Sequence, residues 1–281
     1  MIKLKKPTFN QKDIIDDCMA NVKKQPTKKN ILSSQSTIEN ESANYDMIAE
    51  EGKLTAILSH TIVEGGANKE DMVWLYDKKF VADGGRKYYD KIMTIPPYGK
   101  CPFCGERRVK TLDHFLPKAE YPTFAVTSYN LVASCSDCNK NKKTLIFRRR
   151  DEELIHPYYD NFDDDIWLKA KINEEVEIAF CFYIKKPLGW TEEKFLRAKN
   201  HFDILYLNDL YKAHAGEVFS EYKYSLKRLY FSGKEKAVKE DLLDRVKEKR
   251  SIRKNSWQAA MYDGLLHSNW FFDEYLPKKL K

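Results

Sequence analysis

Residues 100–143 read KCPFCGERRVKTLDHFLPKAEYPTFAVTSYNLVASCSDCNKNKK, and the reading of this stretch decides the fold. It holds two Cys-x-x-Cys pairs, Cys101/Cys104 and Cys135/Cys138, with thirty residues between them. Four thiolates suit tetrahedral Zn²⁺, because soft sulfur at about 2.3 Å matches the ion. Pro102 and Gly105 favour the tight turn that lets two sulfurs of one pair point at one centre. Such a site is coordinatively full, so the zinc is expected to be structural and to close a long loop. In a reducing compartment, paired Cys-x-x-Cys units read as metal ligands and not as disulfides. The remaining cysteines, Cys18 and Cys181, lie in apolar surroundings and read as ordinary buried thiols.

Between and after the pairs, the pattern predicts strand, long loop, strand, helix. Arg108–Leu112 alternates like a strand, Asn130–Ala133 reads as a second, and Ser136–Lys143 reads as a helix opening at the second pair. Within that order, LDHFLPK, then NLV, then CSDCNKNK together resemble the HNH endonuclease motif of the ββα-metal (His-Me finger) superfamily, in its four-cysteine zinc-bound form. The resemblance covers roughly residues 99–145. It implies that His114 is the general base that takes the proton from water. It implies that Asp113 and Asn139 bind a catalytic Mg²⁺ or Mn²⁺, and that Asn130 holds the loop and orients His114. Asn139 stands where the second His of the pattern often stands, and an amide oxygen is a reasonable ligand for a hard cation. The residue types suit phosphodiester hydrolysis, which needs an activated water and charge neutralisation on the phosphate. A neutral imidazole suits proton abstraction near pH 7. Lys118, Lys140, Lys142 and Lys143 are candidates for phosphate contacts. His60, His201, His214 and His267 read as packed or solvent-bridged residues, and His156 as the candidate accessory histidine.

Outside this stretch the 281-residue chain is 42% hydrophobic and 13% aromatic, a globular composition. Its formal net charge of +7 is compatible with a polyanionic partner. No apolar run approaches the ~18–20 residues that span a bilayer. The opening MIKLKKPTFNQKD has no apolar region behind its basic residues. No membrane partner and a cytoplasmic location are therefore expected. No GxxxxGK[ST] occurs, so P-loop ATP hydrolysis is not expected of the chain.

The flanks read as helical. Residues 1–25 suggest a short amphipathic helix through Ile14, Ile15, Cys18, Met19 and Val22. The polar run 26–44 reads as a loop or linker, and 45–60, 69–80 and 86–93 as helices interrupted by Gly65-Gly66 and Gly84-Gly85. Tyr88, Tyr89 and Arg86 read first as packing residues and second as a nucleic-acid face. Residues 166–172 and 176–184 alternate like a β-hairpin joined at 173–175. Thr191 offers a cap for a helix to His214, followed by helices over 217–231, 236–250 and 257–272. The mixed-charge segment 245–254 reads as a solvated helix face, with phosphate binding as the alternative.

These readings give a mainly α protein with a small ββα-metal (HNH) zinc-bound unit embedded between helical N- and C-terminal regions. The divisions are 1–98, 99–150 with the nuclease unit, and 151–281 with the hairpin and C-terminal helices. The whole chain is similar to HNH proteins of bacterial antiphage systems such as Septu. That resemblance implies nucleic acid as substrate, DNA ahead of RNA, and a partner ATPase that licenses cleavage. The alternative is a non-catalytic zinc module that binds nucleic acid or protein. A third reading docks exposed aromatics, including Trp257 and Trp270, onto a larger complex.

Overall fold

Asn10 accepts a hydrogen bond from the Lys12 N–H at 2.9 Å and caps the first helix, α1 (Gln11–Met19), in the computed structural model of the chain. The structure describes residues 1–173 and 177–279. It is mainly helical, with two small antiparallel sheets, and its contacts group into two compact units, residues 2–161 and residues 162–281.

In the first unit α1 turns Ile14, Ile15, Cys18 and Met19 inward, at the spacing the sequence predicts. The expected linker 26–44 is instead helical: α2 (Thr27–Ser33) and α3 (Gln35–Glu50). Ile31, Ile38 and Tyr45 recur every seven residues and are fully buried, which drives this polar segment into helix. Ser34 separates the two helices and its buried hydroxyl accepts from the Ala67 N–H at 3.0 Å. The expected helix over 45–60 ends at Glu50, and only a short 3₁₀ turn, Leu54–Ala56, follows. Asn68 and Asp71 form a capping box that opens α4 (Lys69–Trp74), which passes into a π-helical turn over Leu75–Phe80.

Gly84 and Gly85 precede α5 (Arg86–Met93) because the chain passes close to α1 there. A side chain at Gly84 would put its Cβ 1.9 Å from the Asp17 carbonyl oxygen. Tyr88 on α5 is buried, donates to Asp17 at 2.5 Å and packs edge-on against Phe9 at 5.3 Å. Its ring is therefore a packing residue, not a nucleic-acid face.

The central stretch does not stand alone. Leu112, Ala125, Val126, Leu131 and Ala133 belong to the same core as the inward faces of the N-terminal helices. β1 (Thr111–His114) pairs antiparallel with β2 (Leu131–Ser134), placing Asp113 opposite Val132 and His114 opposite Leu131. α6 (Ser136–Lys142) follows. The strand expected over 108–112 thus begins three residues later and carries the Asp-His pair itself.

In the second unit β3 (Leu168–Asn173) pairs antiparallel with β4 (Ala179–Ile184) as the predicted hairpin. Glu174, Glu175 and Val176, expected at its turn and strand start, lie outside the described residues. Thr191 caps α7 (Glu192–Ile204) by accepting from the Lys194 N–H at 3.2 Å. The predicted run to His214 is broken at Tyr206, whose φ is +51°, and α8 (Leu207–Ile252) begins after it. Gly233 and Lys234 interrupt α8, where the sequence places its break. Ser256 caps α9 (Trp257–Leu266), and α10 (Leu276–Lys279) follows a π-helical turn. Gly264 lets α9 lie against β3, since a Cβ there would sit 2.7 Å from the Ala170 carbonyl oxygen.

Trp257 is buried and stacks on His214 at 5.9 Å, so it is a core residue and not an exposed docking aromatic. Trp270 is half-buried. In the segment 245–254, Arg245 pairs with Asp241, Lys249 with Glu248 and Arg250 with Asp263, as expected of a mixed-charge helix face. Among the described residues, no helix is long and apolar enough to cross a membrane.

Candidate functional site

The four cysteines come together. The sulfurs of Cys101, Cys104, Cys135 and Cys138 are buried and all lie within 4.8 Å of one another. A tetrahedral ion with bonds of about 2.3 Å needs sulfurs about 3.8 Å apart, so this set could hold zinc. The local backbone explains the convergence. Gly105, at φ +70°, turns the chain so that its N–H donates to the Cys101 carbonyl at 2.7 Å. The Arg107 N–H then points at Cys104 Sγ (3.4 Å), and the Cys138 N–H at Cys135 Sγ (3.3 Å). Cys135 also caps α6, so the second pair and the helix that carries Asn139 and Lys142 share one turn.

Strand alternation sends Asp113 and His114 to opposite faces of β1. His114 is 8% exposed and lies edge-on against Tyr76 at 4.4 Å. Its Nε2 is 2.8 Å from the Ala125 carbonyl oxygen. A carbonyl can only accept, so Nε2 carries the proton and Nδ1 keeps its lone pair. Burial pushes the imidazole pKa down to about 3, against a smaller opposing effect of the Ala125 contact. The ring is therefore neutral at neutral pH.

Asp113 is 3% exposed and meets Lys142, which is 1% exposed. The Lys142 ammonium donates to Asp113 Oδ1 at 3.2 Å and to the His114 carbonyl at 2.6 Å. Burial raises the Asp113 carboxyl above its usual range, and Lys142 opposes this. The other oxygen, Asp113 Oδ2, is buried with no hydrogen-bond partner. Asn139 lies beside the same strand face, its amide nitrogen donating to Thr111 Oγ1 at 2.9 Å. That leaves the Asn139 carbonyl oxygen as the group the side chain can offer a cation. A carboxylate oxygen and an amide oxygen are the hard donor types that Mg²⁺ or Mn²⁺ takes.

Asn130 is fully buried and saturated. Its Oδ1 accepts from the Leu116 N–H at 2.7 Å and the Tyr45 hydroxyl at 3.2 Å. Its Nδ2 donates to the carbonyls of Leu116 (2.9 Å) and Phe124 (3.2 Å). The side chain thus pins the loop that leaves His114 and returns past Ala125. Asn130→Ala would strand several buried backbone groups at about 1–3 kcal/mol each. We expect a loss on the order of 3–5 kcal/mol in urea unfolding, and a loss under about 1 kcal/mol would refute the pinning role.

Lys142 does not reach outward to a phosphate as the sequence suggests; it is buried against Asp113. Its position one turn after Asn139 on α6 is the signal that could have placed it there. Lys142→Met would leave a buried carboxylate without its cation. For the zinc-loaded chain in buffer without added Mg²⁺, a destabilisation of about 3–5 kcal/mol is expected, and Mg²⁺ should restore part of it by occupying Asp113. Equal stability of variant and wild type in that buffer would show that the pair contributes nothing.

Lys118 pairs with Asp77 at 2.5 Å and lies over the Tyr76 ring, while Lys140 and Lys143 are exposed. His156 is a core residue. Its Nδ1 accepts from the Tyr158 N–H, and its ring packs on Phe115 at 4.1 Å. The Tyr45 hydroxyl lies between His156 Nε2 (3.4 Å) and Asn130, a support for the loop that no local pattern in the sequence marks.

Over 233 residues the chain is 32% identical to protein ea31 of Escherichia phage lambda, covering 79% of this chain and 78% of that protein. The chain belongs to the ea31 family. This ea31-family chain is also 28% identical over 131 residues to the Septu protein PtuB of Bacillus thuringiensis, covering 45% of this chain and 43% of PtuB. No family model and no solved structure matches it. The likeness to PtuB and the buried cysteine cluster fit a zinc-bound HNH-like unit.

Proposed function

We propose that the chain is a metal-dependent HNH endonuclease that hydrolyses phosphodiester bonds, DNA first and RNA second, as a cytoplasmic effector of antiphage defence working with a partner ATPase. One observation carries the reading. Adjacent residues of β1 present a neutral imidazole whose protonated nitrogen is tied to Ala125, and a buried carboxylate oxygen that lacks a partner. The likeness to a Septu protein supports the defence setting and the partner.

In this reading the cysteines hold a structural Zn²⁺ that keeps α6 docked beside β1. Asp113 and Asn139 hold Mg²⁺ or Mn²⁺, which supplies charge neutralisation at the phosphate. His114 Nδ1 takes the proton from the attacking water, and the Ala125 carbonyl fixes the tautomer and stabilises the imidazolium that results. Asn130 keeps the loop, and so Ala125, in place.

The test is incubation of plasmid DNA and of total RNA with the zinc-loaded full chain, with Mg²⁺, with Mn²⁺ or with no added divalent ion. Cleavage that needs the divalent ion supports the reading and identifies the nucleic acid. Tight binding with no cleavage in any metal favours the zinc interaction module, for which the Lys142–Asp113 pair would be purely structural.

A further inference from the structure

The first unit carries a groove of about 530 Å³ formed by the extended N-terminal segment and the end of α5. Lys3, Lys5, Lys6 and Lys91 line it over an apolar floor that includes Phe9 and Ile95. Lys6 is neutralised by Asp46 and Glu50. Lys3, Lys5 and Lys91 make no ion pair among the described residues, and no carboxylate lines the groove. Three ammoniums along one channel with no carboxylate lining it form a local positive field.

Two further observations say what the groove is for. The segment that forms it is tied down at two points on either side of Lys3. The Ile2 N–H donates to the carbonyl of Pro102, inside the first cysteine pair, at 2.8 Å. The Leu4 N–H donates to the Pro157 carbonyl at 2.9 Å. The lysines are therefore mounted on the same rigid body as the Asp113–His114 strand and do not sit on a loose tail. Beside the lining residue Pro97 stands Tyr98, 95% exposed and held at φ +57°, ψ +17°. A bulky residue in the left-handed region with its ring in water is an outlier in both conformation and exposure. An exposed aromatic ring offers a face on which a base of a bound strand can stack.

We infer that the groove of Lys3, Lys5 and Lys91, with Tyr98 next in the chain to its lining residue Pro97, is a track for the phosphodiester backbone of the substrate. The lysines take successive phosphates and the Tyr98 ring stacks on a base. Contacts of this kind position a strand and carry no sequence information, which suits a nuclease whose cut is set by geometry. The inference rests on the nuclease reading. The two fail separately, because this one is read by binding in buffer without added divalent ion, without turnover.

The experiment uses the full zinc-loaded chain and fluorescein-labelled duplex DNA, single-stranded DNA and RNA, followed by anisotropy from about 50 to 200 mM salt. The variants are Lys3→Glu/Lys5→Glu/Lys91→Glu, the milder Lys3→Gln/Lys5→Gln/Lys91→Gln, and Tyr98→Ala. Both triple variants should weaken binding at least tenfold and flatten the slope of log K against log salt by about 2 to 3 on duplex DNA. Tyr98→Ala should weaken single-strand binding several-fold with the salt slope unchanged, since stacking releases no counterion. The nucleic acid that loses most identifies the backbone the track serves. Unchanged affinity and slope in the glutamine variant, with zinc content and melting as in wild type, would overturn the inference. So would no binding by the wild type, or binding of poly-glutamate as tight as that of nucleic acid, which would assign the groove to an acidic protein partner.

Discussion

His114→Ala is expected to lower the rate of metal-dependent cleavage by about 10²–10⁴-fold, the usual contribution of a positioned general base. The expectation rests on a ring that is buried, neutral and held in one tautomer by the Ala125 carbonyl. Alanine also removes the ring that packs against Tyr76, so part of the loss could arise from a disturbed loop. His114→Gln separates the two causes, because its amide can still donate to Ala125 while offering no base. Both variants should keep zinc and, without added divalent ion, bind nucleic acid as wild type does. Glutamine retaining more than about a tenth of the wild-type rate would remove His114 from the role of base.

Removal of zinc is expected to have the largest effect on stability. Folding of small zinc modules draws about 10–16 kcal/mol from the metal. Here the effect is smaller, because Leu112, Leu131 and Ala133 are also held by the core of the N-terminal helices. Cys138→Ser should nevertheless abolish zinc binding and lower the melting temperature of the first unit by roughly 10 °C or more. Activity should vanish with it. Cys135 both belongs to the cluster and caps α6, so loss of the metal frees the helix that sets Asn139 and Lys142 beside β1. A serine variant that melts like the wild type would show that the cysteines are a packed cluster with no metal to lose.

The cysteine-bracketed unit was readable because its signals are local. Two turns of fixed chemistry, a strand pair and a helix start all fall within about forty residues, and each needs only its neighbours. The cap at Thr191 likewise acts over three residues. The linker assigned to 26–44 failed for the opposite reason. Its buried apolar residues, Ile31 and Ile38, are sparse, and only burial under neighbouring elements makes one face of α2 and α3 worth folding. The break at Tyr206 was equally invisible, since no glycine or proline marks it.

By itself the sequence determined the kind of chemistry available: four thiols able to share one ion, an Asp-His pair, and amides at Asn130 and Asn139. Residue type and short spacing are covalent properties and need no fold. Tertiary structure alone decided which state each group is in. It buried Lys142 against Asp113, left Asp113 Oδ2 without a partner, set the tautomer of His114 through Ala125, and spent Asn130 on the loop. It also put Trp257 in the core and Tyr98 in water. Charge state, tautomer and hydrogen-bond saturation depend on desolvation and on partners far away in the chain, and those exist only once the chain has folded.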